Sequence, residues 1–470
     1  MRSRFQFVEQ APPIEAFQLS RNYEDDTSSN KVNLTIGAYR DSNGNPWVLP
    51  VVRKTEEMMA NDKNLLHEYL PILGTEQFSS ASVSLLLGED NPAIAAGRAF
   101  GIQTLSGTGG LRVGAEFLNK LLDYNTFYYS DPTWQNHHHV FVSAGFIQPR
   151  TYRYWDPKTR AIDFTGLIED LRNAPMNSVI ILHVCGHNPT GVDPTYEQWE
   201  KIADVMQERN LFPFFDSAYQ GLTSGDLDRD AWAVRYFVKR GFELACSQSY
   251  AKNLGLYNER VGNLTVVMSD SEFVASTKSQ LTRIVCRMYS NPPAHGARIV
   301  TAILTSEQLY NEWKNQLREM AARVADMRVE LRDELTRLNT PGNWDHIVNQ
   351  IGMFSYTGLT EQQCEYLIQE YHIYLLRTGR INICGLNPGN VEYVARAIND
   401  AVNKFPTALY ETKVTKIPAQ KIHTFKPKTN SSFHLRNKKA YKIDDGSDNL
   451  QKHVAFTLHI AGHYNRNIFM

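Results

Sequence analysis

Apolar runs alternate with helical patterns through the middle of this 470-residue chain, and this alternation limits the possible folds more than any other feature. Short runs rich in Val, Ile and Phe are typical of buried strands. Strands separated by helices indicate an α/β fold in which a mainly parallel central sheet is flanked by helices. The predicted strands cover residues 127–129, 140–142, 179–185, 211–215, 242–246 and 264–267.

Three of these strands end in polar residues. The polar segments are Gly186–Gly191, Asp216–Tyr219 and Ser247–Lys252. Because ligands of an open parallel sheet bind beyond the carboxyl ends of its strands, we expect the three segments to meet in one crevice. The order of elements alone therefore predicts where a functional site lies.

The later part of the chain predicts a smaller α/β domain. Residues 309–335 carry apolar side chains at three- or four-residue spacing, which predicts one long helix. Strand-like segments follow at 351–355, 373–376 and 380–384, and a last helix is expected near 391–403. We divide the chain into an N-terminal arm with part of the small domain (1–46), a large domain (47–320), the small domain (321–405) and a C-terminal extension (406–470).

The C-terminal extension differs in composition from the rest of the chain. It holds nine Lys or Arg between Lys413 and Lys442 and no Asp or Glu among them. Such a segment buries little apolar surface, and we expect it to be disordered. A solvated appendage is the favoured interpretation, and a docking segment for acidic partners is the alternative.

Composition argues against several classes of protein. A formal net charge of -1 disfavours binding to nucleic acid or to a membrane by bulk charge. No apolar run approaches the roughly 18 residues that span a bilayer. The five cysteines are scattered and form no CxxC pair, which fits a reducing compartment and indicates no structural zinc site. The start of the chain has no signal-peptide pattern, and we expect a cytoplasmic protein.

The segment Ser247–Gly262 carries the residues that pyridoxal phosphate (PLP) needs. The amine of Lys252 can form a Schiff base with an aldehyde. Ser249, three residues before the lysine, and Arg260, eight after it, can hold a phosphate dianion. A lone lysine would indicate nothing, because most lysines lie on the surface. This lysine follows a strand-like run and is therefore expected at the crevice.

Residues after two other strands can serve the rest of the cofactor. Asp216, buried after an apolar strand, would pair with the pyridine nitrogen and make the ring an electron sink. Taken alone, Asp216 is equally well explained as a helix N-cap. Tyr219 and Asn188 would donate hydrogen bonds to the phenolate oxygen, although Asn188 by itself is only a turn signal.

Trp134 and His137 complete the predicted surroundings of the ring. Trp134 would stack on it, although a single Trp is more often a core residue. The run His137–His139 invites a metal interpretation, but adjacent side chains on a strand or turn diverge, and we predict no metal site. His137 is instead expected to orient Asp216.

The stretch Leu105–Gly114 is expected to hold the phosphate. Small residues at the start of a helix present free N–H groups to an anion, which places the phosphate on Ser106, Gly107 and Thr108. The stretch fails as a dinucleotide fingerprint, because Arg112 occupies the sixth position. The chain also lacks GxxxxGK[ST] and GxSxG motifs.

These motifs give the chain a resemblance to a known family. From about Pro12 to Lys404 it resembles the aspartate aminotransferases, animal cytosolic type, of the class I, fold-type I PLP-dependent family. The resemblance rests on the motifs Val32–Arg40, His67–Gly74, Asn188–Gly191, Phe214–Gly221, Ser247–Gly262, Ser290–Ala294 and Gly379–Gly385. It implies transfer of the amino group of L-aspartate to 2-oxoglutarate, giving oxaloacetate and L-glutamate.

The resemblance also implies roles for individual residues. Lys252 would both bind the cofactor and move a proton from the substrate, with Asp216 and Tyr219 assisting. Arg380 would bind the substrate α-carboxylate beside Asn188, Trp134 and the Gly37 backbone. Tyr69 would reach the cofactor phosphate of a second subunit, which implies a homodimer with shared sites.

The chain departs from the family at one position. Family members carry an arginine four residues before the Ser-Asn-Pro-Pro motif, where it binds the distal carboxylate of the substrate from the neighbouring subunit. Here that position is Cys286, and Arg287 follows it. If the segment were a strand, Arg287 would point to the opposite face. An aminotransferase of aromatic or kynurenine-type preference therefore stays open as one alternative. A second alternative is a catalytically weak member that acts as an interaction protein through its basic C-terminal extension.

Overall fold

The computed structural model describes residues 2–407, so the predicted extension lies outside the described residues except for 406 and 407. The described residues belong to one compact unit. The helices are α1 (Glu15–Asp25), α2 (Pro50–Asn61), α3 (Glu76–Leu87), α4 (Pro92–Ala95), α5 (Ser106–Leu122), α6 (Asn136–Ala144), α7 (Phe164–Asn173), α8 (Tyr196–Glu208), α9 (Leu227–Asp230), α10 (Trp232–Lys239), α11 (Val274–Tyr289), α12 (Ala294–Thr305), α13 (Glu307–Arg337), α14 (His346–Asn349), α15 (Glu361–Tyr371) and α16 (Val391–Lys404).

The strands form one large sheet and three two-stranded pairs. They are β1 (Val32–Asn33), β2 (Ala99–Leu105), β3 (Thr126–Asp131), β4 (Gln148–Arg153), β5 (Trp155–Asp156), β6 (Ala161–Ile162), β7 (Val179–His183), β8 (Phe212–Ser217), β9 (Leu244–Ser249), β10 (Val261–Val267), β11 (Phe354–Tyr356), β12 (Ile373–Tyr374) and β13 (Arg380–Asn382).

The large sheet has seven strands in the order β2-β10-β9-β8-β7-β3-β4. Its strands are parallel except β10, which runs antiparallel to both of its neighbours. The register sets His183 beside Asp216 and Asp216 beside Ser247. The carboxyl ends of β7, β8 and β9 therefore meet in one row, as the polar segments predicted.

Elements of the predicted small domain, including α14 and α16, pack against α13. Strand β1 pairs with β12, and β11 pairs with β13, so the N-terminal segment joins the small predicted domain. The apolar stripe of α13 is buried from Leu309 to Leu335, as its spacing predicted. The indole of Trp313 on α13 donates to the carbonyl of Asn253, at 2.8 Å, and so ties this helix to the lysine segment. The domain boundaries stay a prediction, and α13 crosses the one placed at residue 320.

Two sequence predictions were wrong. Residues 140–142 lie in helix α6, because a short apolar run does not distinguish a strand from a buried helix turn. Cys286 and Arg287 lie in the last turns of α11, not on a strand. Adjacent residues of a helix point about 100° apart, so the expected switch to the opposite face does not apply. Both side chains are exposed.

None of the helices described in residues 2–407 combines the length and the apolar character of a membrane-spanning segment.

Candidate functional site

Lys252 lies in the turn that follows β9 and points toward the N-terminal segment. Its ammonium donates to the carbonyl of Gly37 and lies 4.8 Å from the ring centroid of Tyr257. Burial lowers the pKa of Lys252 to about 8, and the positive charges of Arg380 and Arg260 act in the same direction. A larger share of this amine is therefore neutral, and hence nucleophilic, near physiological pH than of an exposed lysine.

Asp216 lies at the buried end of a hydrogen-bond chain. Its Oδ2 lies 3.0 Å from Nε2 of His137, and Nδ1 of His137 lies 2.8 Å from Oγ1 of Thr133. Asp216 does not cap a helix, because it lies inside β8 and the next helix begins only at Leu227. The N-cap alternative is thus wrong, and the carboxylate is held by histidine.

The three consecutive histidines diverge on the first turns of α6. His137 is buried, His138 lies 3.0 Å from the hydroxyl of Tyr129, and His139 is exposed. A different triad is close together: ligand atoms of His137, His183 and Asp216 lie within 4.8 Å of one another. The His137–Asp216 hydrogen bond already joins two of the three groups.

His183 is the third member of that triad, and sequence reasoning missed it. Its side chain is buried, and burial lowers its pKa to about 3, so the imidazole is neutral. Neither ring nitrogen has a hydrogen-bond partner among residues 2–407. Its position opposite Asp216 in the strand register is the structural signal that the sequence did not provide.

Tyr219, Asn188 and Arg380 converge on the crevice from three elements. Nη1 of Arg380 donates to the Asn188 side-chain oxygen at 3.2 Å, and Nη2 donates to the Thr35 carbonyl at 2.6 Å. Burial lowers the pKa of Arg380 to about 10. Burial also raises the pKa of the Tyr219 hydroxyl, and the negative charge of Asp216 adds to this effect. Nε of Arg380 has no partner in the described part of the chain, so this buried cation retains capacity for an anion.

The predicted phosphate site lies at the amino end of α5. Ser106 and Gly107 are buried there, Thr108 is half-buried, and the hydroxyls of Ser106 and Ser249 are 2.9 Å apart. A Cβ added to Gly107 would lie 3.2 Å from Cβ of Ser249, so the glycine permits this close approach. The free N–H groups of the helix start and these hydroxyls form a cup for an anion.

Arg260 borders the cup and has no carboxylate within ion-pair distance among the described residues. Its backbone φ is +50°, and Nη1 donates to the Tyr257 carbonyl at 2.9 Å. Partial burial lowers the pKa of this guanidinium. The side chain is exposed and no acid in residues 2–407 neutralises it, so its guanidinium is available to a phosphate.

The remaining predicted residues, Trp134, Gly37 and Tyr69, differ in their contacts and exposure. Trp134 precedes α6, and its ring meets that of His137 edge-on at 5.5 Å. Gly37 is buried against the ring of Phe354. The side chain of Tyr69 is 82% exposed, so its role in a second subunit stays a prediction.

The donor set fits PLP. A nucleophilic amine, a buried carboxylate held by histidine and an anion cup at a helix start lie along one edge of one sheet. These are the groups that a Schiff base, a protonated pyridine nitrogen and a phosphate each require. Lys252, Asp216 and Ser106 would therefore hold three parts of the same cofactor.

Comparisons with known proteins agree with this geometry. Residues 29–398 match the model of the family described as aminotransferase class I and II. The chain is 55% identical over 407 residues to the cytoplasmic aspartate aminotransferase of Gallus gallus, covering 86% of this chain and 99% of that one.

Solved structures similar to this chain are also aminotransferases. The cytoplasmic aspartate aminotransferase of Saccharomyces cerevisiae superposes with a TM-score of 0.83 at 43% identity, over 86% of this chain and 99% of that one. The aromatic-amino-acid aminotransferase of Burkholderia pseudomallei, covalently bound to PLP, superposes with a TM-score of 0.82 at 39% identity, over 85% and 100%. The chain therefore belongs to the class I and II aminotransferase family of fold-type I, PLP-dependent transferases.

Proposed function

We propose that this chain is a cytoplasmic aspartate aminotransferase, which transfers the amino group of L-aspartate to 2-oxoglutarate and yields oxaloacetate and L-glutamate. The observation that carries the proposal is the convergence of Lys252, Asp216 and Arg380 on one crevice. The cytoplasmic aspartate aminotransferase of Gallus gallus supports the substrate and the compartment, because the match covers 99% of that protein.

Each group of the crevice has a place in this reaction. PLP bound at Lys252 would supply an electron sink for the bonds at the substrate Cα. Once the substrate amine has displaced it from the cofactor, the Lys252 amine would take the proton from Cα, and its pKa of about 8 lies closer to neutral than that of an exposed lysine. Asp216 would pair with the pyridine nitrogen of the cofactor, and His137 holds that carboxylate in place.

Substrate binding falls to residues on the other side of the crevice. Arg380 binds the α-carboxylate through two parallel N–H groups. Asn188 already accepts a hydrogen bond from Arg380, and Trp134 and the Gly37 backbone would line the substrate site with it. Tyr219 would donate a hydrogen bond from its hydroxyl group to the phenolate oxygen of the cofactor.

The cofactor phosphate is the ligand of the cup at the start of α5. Backbone N–H groups of Ser106, Gly107 and Thr108 point into the cup, because the first N–H groups of a helix have no partner within it. Ser249 adds a hydroxyl and Arg260 adds a positive charge. In a homodimer, the exposed Tyr69 of a second copy would add a further hydroxyl.

The visible spectrum of the purified holoenzyme tests this proposal directly. We expect a yellow chromophore that L-aspartate bleaches and that 2-oxoglutarate restores, because the two half-reactions convert the bound cofactor back and forth. Lys252→Ala should abolish this cycle. A protein that binds no chromophore, or one whose spectrum aspartate leaves unchanged, would refute the enzyme and favour the interaction-protein alternative.

A second candidate function keeps the cofactor and changes the substrate. Cys286 occupies the position at which family members carry the arginine for the distal carboxylate, and both it and Arg287 lie exposed on a helix. One structural relative at 39% identity is an aromatic-amino-acid aminotransferase. These observations favour an enzyme of aromatic or kynurenine-type preference as the alternative.

Steady-state assays of aspartate and phenylalanine, each with 2-oxoglutarate, separate the two candidates. The aspartate proposal requires a kcat/KM at least about 10-fold higher for aspartate. This preference needs another cation, such as Arg287, to pair with the distal carboxylate, since one charge-assisted pair contributes about 1.5 to 3 kcal/mol. Cys286→Arg is the matched variant, and Cys286→Ser is its uncharged control. Equal rates with the two amino acids would refute the dicarboxylate preference.

A further inference from the structure

Among the described residues, the guanidinium of Arg380 makes hydrogen bonds only to uncharged groups. Its hydrogen bonds go to one amide oxygen and one backbone carbonyl, on Asn188 and Thr35. No carboxylate among residues 2–407 forms an ion pair with it, although the side chain is only 7% exposed. An acid would compete with a substrate carboxylate, so a group other than an acid must hold the guanidinium in orientation.

The ring of Phe354 is such a group, in addition to the hydrogen bonds to Asn188 and Thr35. The guanidinium carbon of Arg380 lies 4.1 Å from the ring centroid, close enough for a cation–π contact. The ring is buried, at 3% exposure, so the contact is shielded from water. A ring face attracts a cation without using any of its N–H groups, so Nε and the remaining N–H groups of Arg380 stay available to a carboxylate.

The position of the ring is itself fixed from several sides. A Cβ added to Gly37 would lie 2.5 Å from Cζ of Phe354, so the tip of the ring abuts the Gly37 backbone. The ring of Tyr219 meets it edge-on at 6.2 Å. Nη2 of Arg328, a buried arginine on α13, donates to the Phe354 carbonyl at 2.5 Å.

The strand pairing fixes Phe354 relative to Arg380. Strands β11 and β13 are antiparallel, with Phe354 opposite Asn382 and Tyr356 opposite Arg380. Phe354 and Arg380 are thus diagonal neighbours on one two-stranded ribbon, a spacing that aromatic and long side chains can bridge. The ring and the guanidinium therefore keep their relative position as long as the two strands stay paired.

We propose that Phe354 is a positioning residue, which presents the Arg380 guanidinium to the α-carboxylate of the substrate. The inference rests on the proposed function, because that function gives Arg380 its ligand. Phe354 does not itself contact the substrate in this proposal. Its effect is on the binding of any substrate with an α-carboxylate, so aspartate and 2-oxoglutarate should respond alike.

Replacement of the ring tests the proposal in the holoenzyme. We expect Phe354→Leu and Phe354→Met to raise KM about 10-fold for both aspartate and 2-oxoglutarate, with kcat changed less than about 3-fold, because a buried cation–π contact is lost. Met nearly preserves the volume of the side chain and removes only the ring face. The dissociation constant of succinate, measured from the cofactor spectrum, should rise by the same factor.

Phe237→Leu is the matched control, because this Phe is equally buried but lies on α10 and does not contact Arg380. It should lower the melting temperature and leave KM unchanged. If Phe354→Met keeps the wild-type KM and succinate affinity, the ring face does not position Arg380 and the inference fails alone. If the wild-type holoenzyme does not turn over aspartate, the proposed function fails instead.

Discussion

Lys252 has the most strongly altered chemistry of the lysines described. Its pKa is lowered to about 8 because burial and two nearby arginines disfavour the ammonium. Only the neutral amine attacks an aldehyde, so a lower pKa moves the onset of reaction to lower pH. In the sequence, Ser249 and Arg260 distinguish Lys252 from a surface lysine. No sequence pattern predicts the contact between Lys252 and Gly37.

This pKa predicts how apoenzyme takes up its cofactor. The rate of PLP incorporation should rise with pH and level off above a midpoint near 8, followed as the growth of visible absorbance after mixing. The control is free Nα-acetyl-lysine, whose side-chain amine has the ordinary lysine pKa. Its rate of reaction with PLP should still be rising at pH 9. A rate for the apoenzyme that also climbs steadily beyond pH 9 would contradict the lowered pKa.

At the scale of single elements, sequence pattern and structure agree where the pattern is long or strongly buried. The stripe of α13 and the apolar runs of β7 and β8 were predicted because many residues repeat one signal. Strand β4 was missed because its sequence, QPRTYR, is mostly polar, as an edge strand allows. The site followed a related rule: Asp216 and Lys252 were found because they lie in polar segments that follow apolar runs. His183 and Phe354 fall within the predicted strands 179–185 and 351–355 and were not recognised as site residues.

Asp230, the last residue of α9, is a buried carboxylate that binds the turn after β8 and has a predictable pH response. Oδ2 of Asp230 accepts hydrogen bonds from the backbone N–H groups of Gly221, Thr223 and Ser224. Burial nevertheless raises the pKa of Asp230 to about 6. Because the folded-state pKa lies above the unfolded one, Asp230 contributes stability below about pH 4, and that contribution is lost as the pH rises through 6.

Asp230→Asn should remove this dependence, since an amide oxygen can accept the same three hydrogen bonds and does not ionise. The melting temperature of the variant, relative to wild type, should therefore increase between pH 5 and pH 7.5. Asp90→Asn, at an exposed position, serves as the control and should show no such change. A constant difference between Asp230→Asn and wild type across this range would show that the carboxyl does not titrate there.

At the scale of the whole molecule, the N-terminal arm leaves apolar surface uncovered. Phe5, Phe7 and Phe17 are 78%, 84% and 66% exposed, and Tyr69 is 82% exposed. Soluble monomers rarely leave many large apolar side chains exposed close together in sequence, whereas subunit interfaces bury them. A twofold dimer would cover the arm and bring Tyr69 of one copy toward the phosphate cup of the other.

The arm therefore predicts a dimer whose stability depends on its aromatic residues. Phe5→Ser combined with Phe7→Ser should weaken the dimer at least about 10-fold, because each buried Phe contributes about 1.5 to 3 kcal/mol. Sedimentation across a dilution series measures this constant. Ile147→Ser, also highly exposed but outside the arm, should leave it unchanged. If the wild-type chain sediments as a monomer at every concentration, the site cannot be shared between subunits, and Tyr69 loses its proposed role.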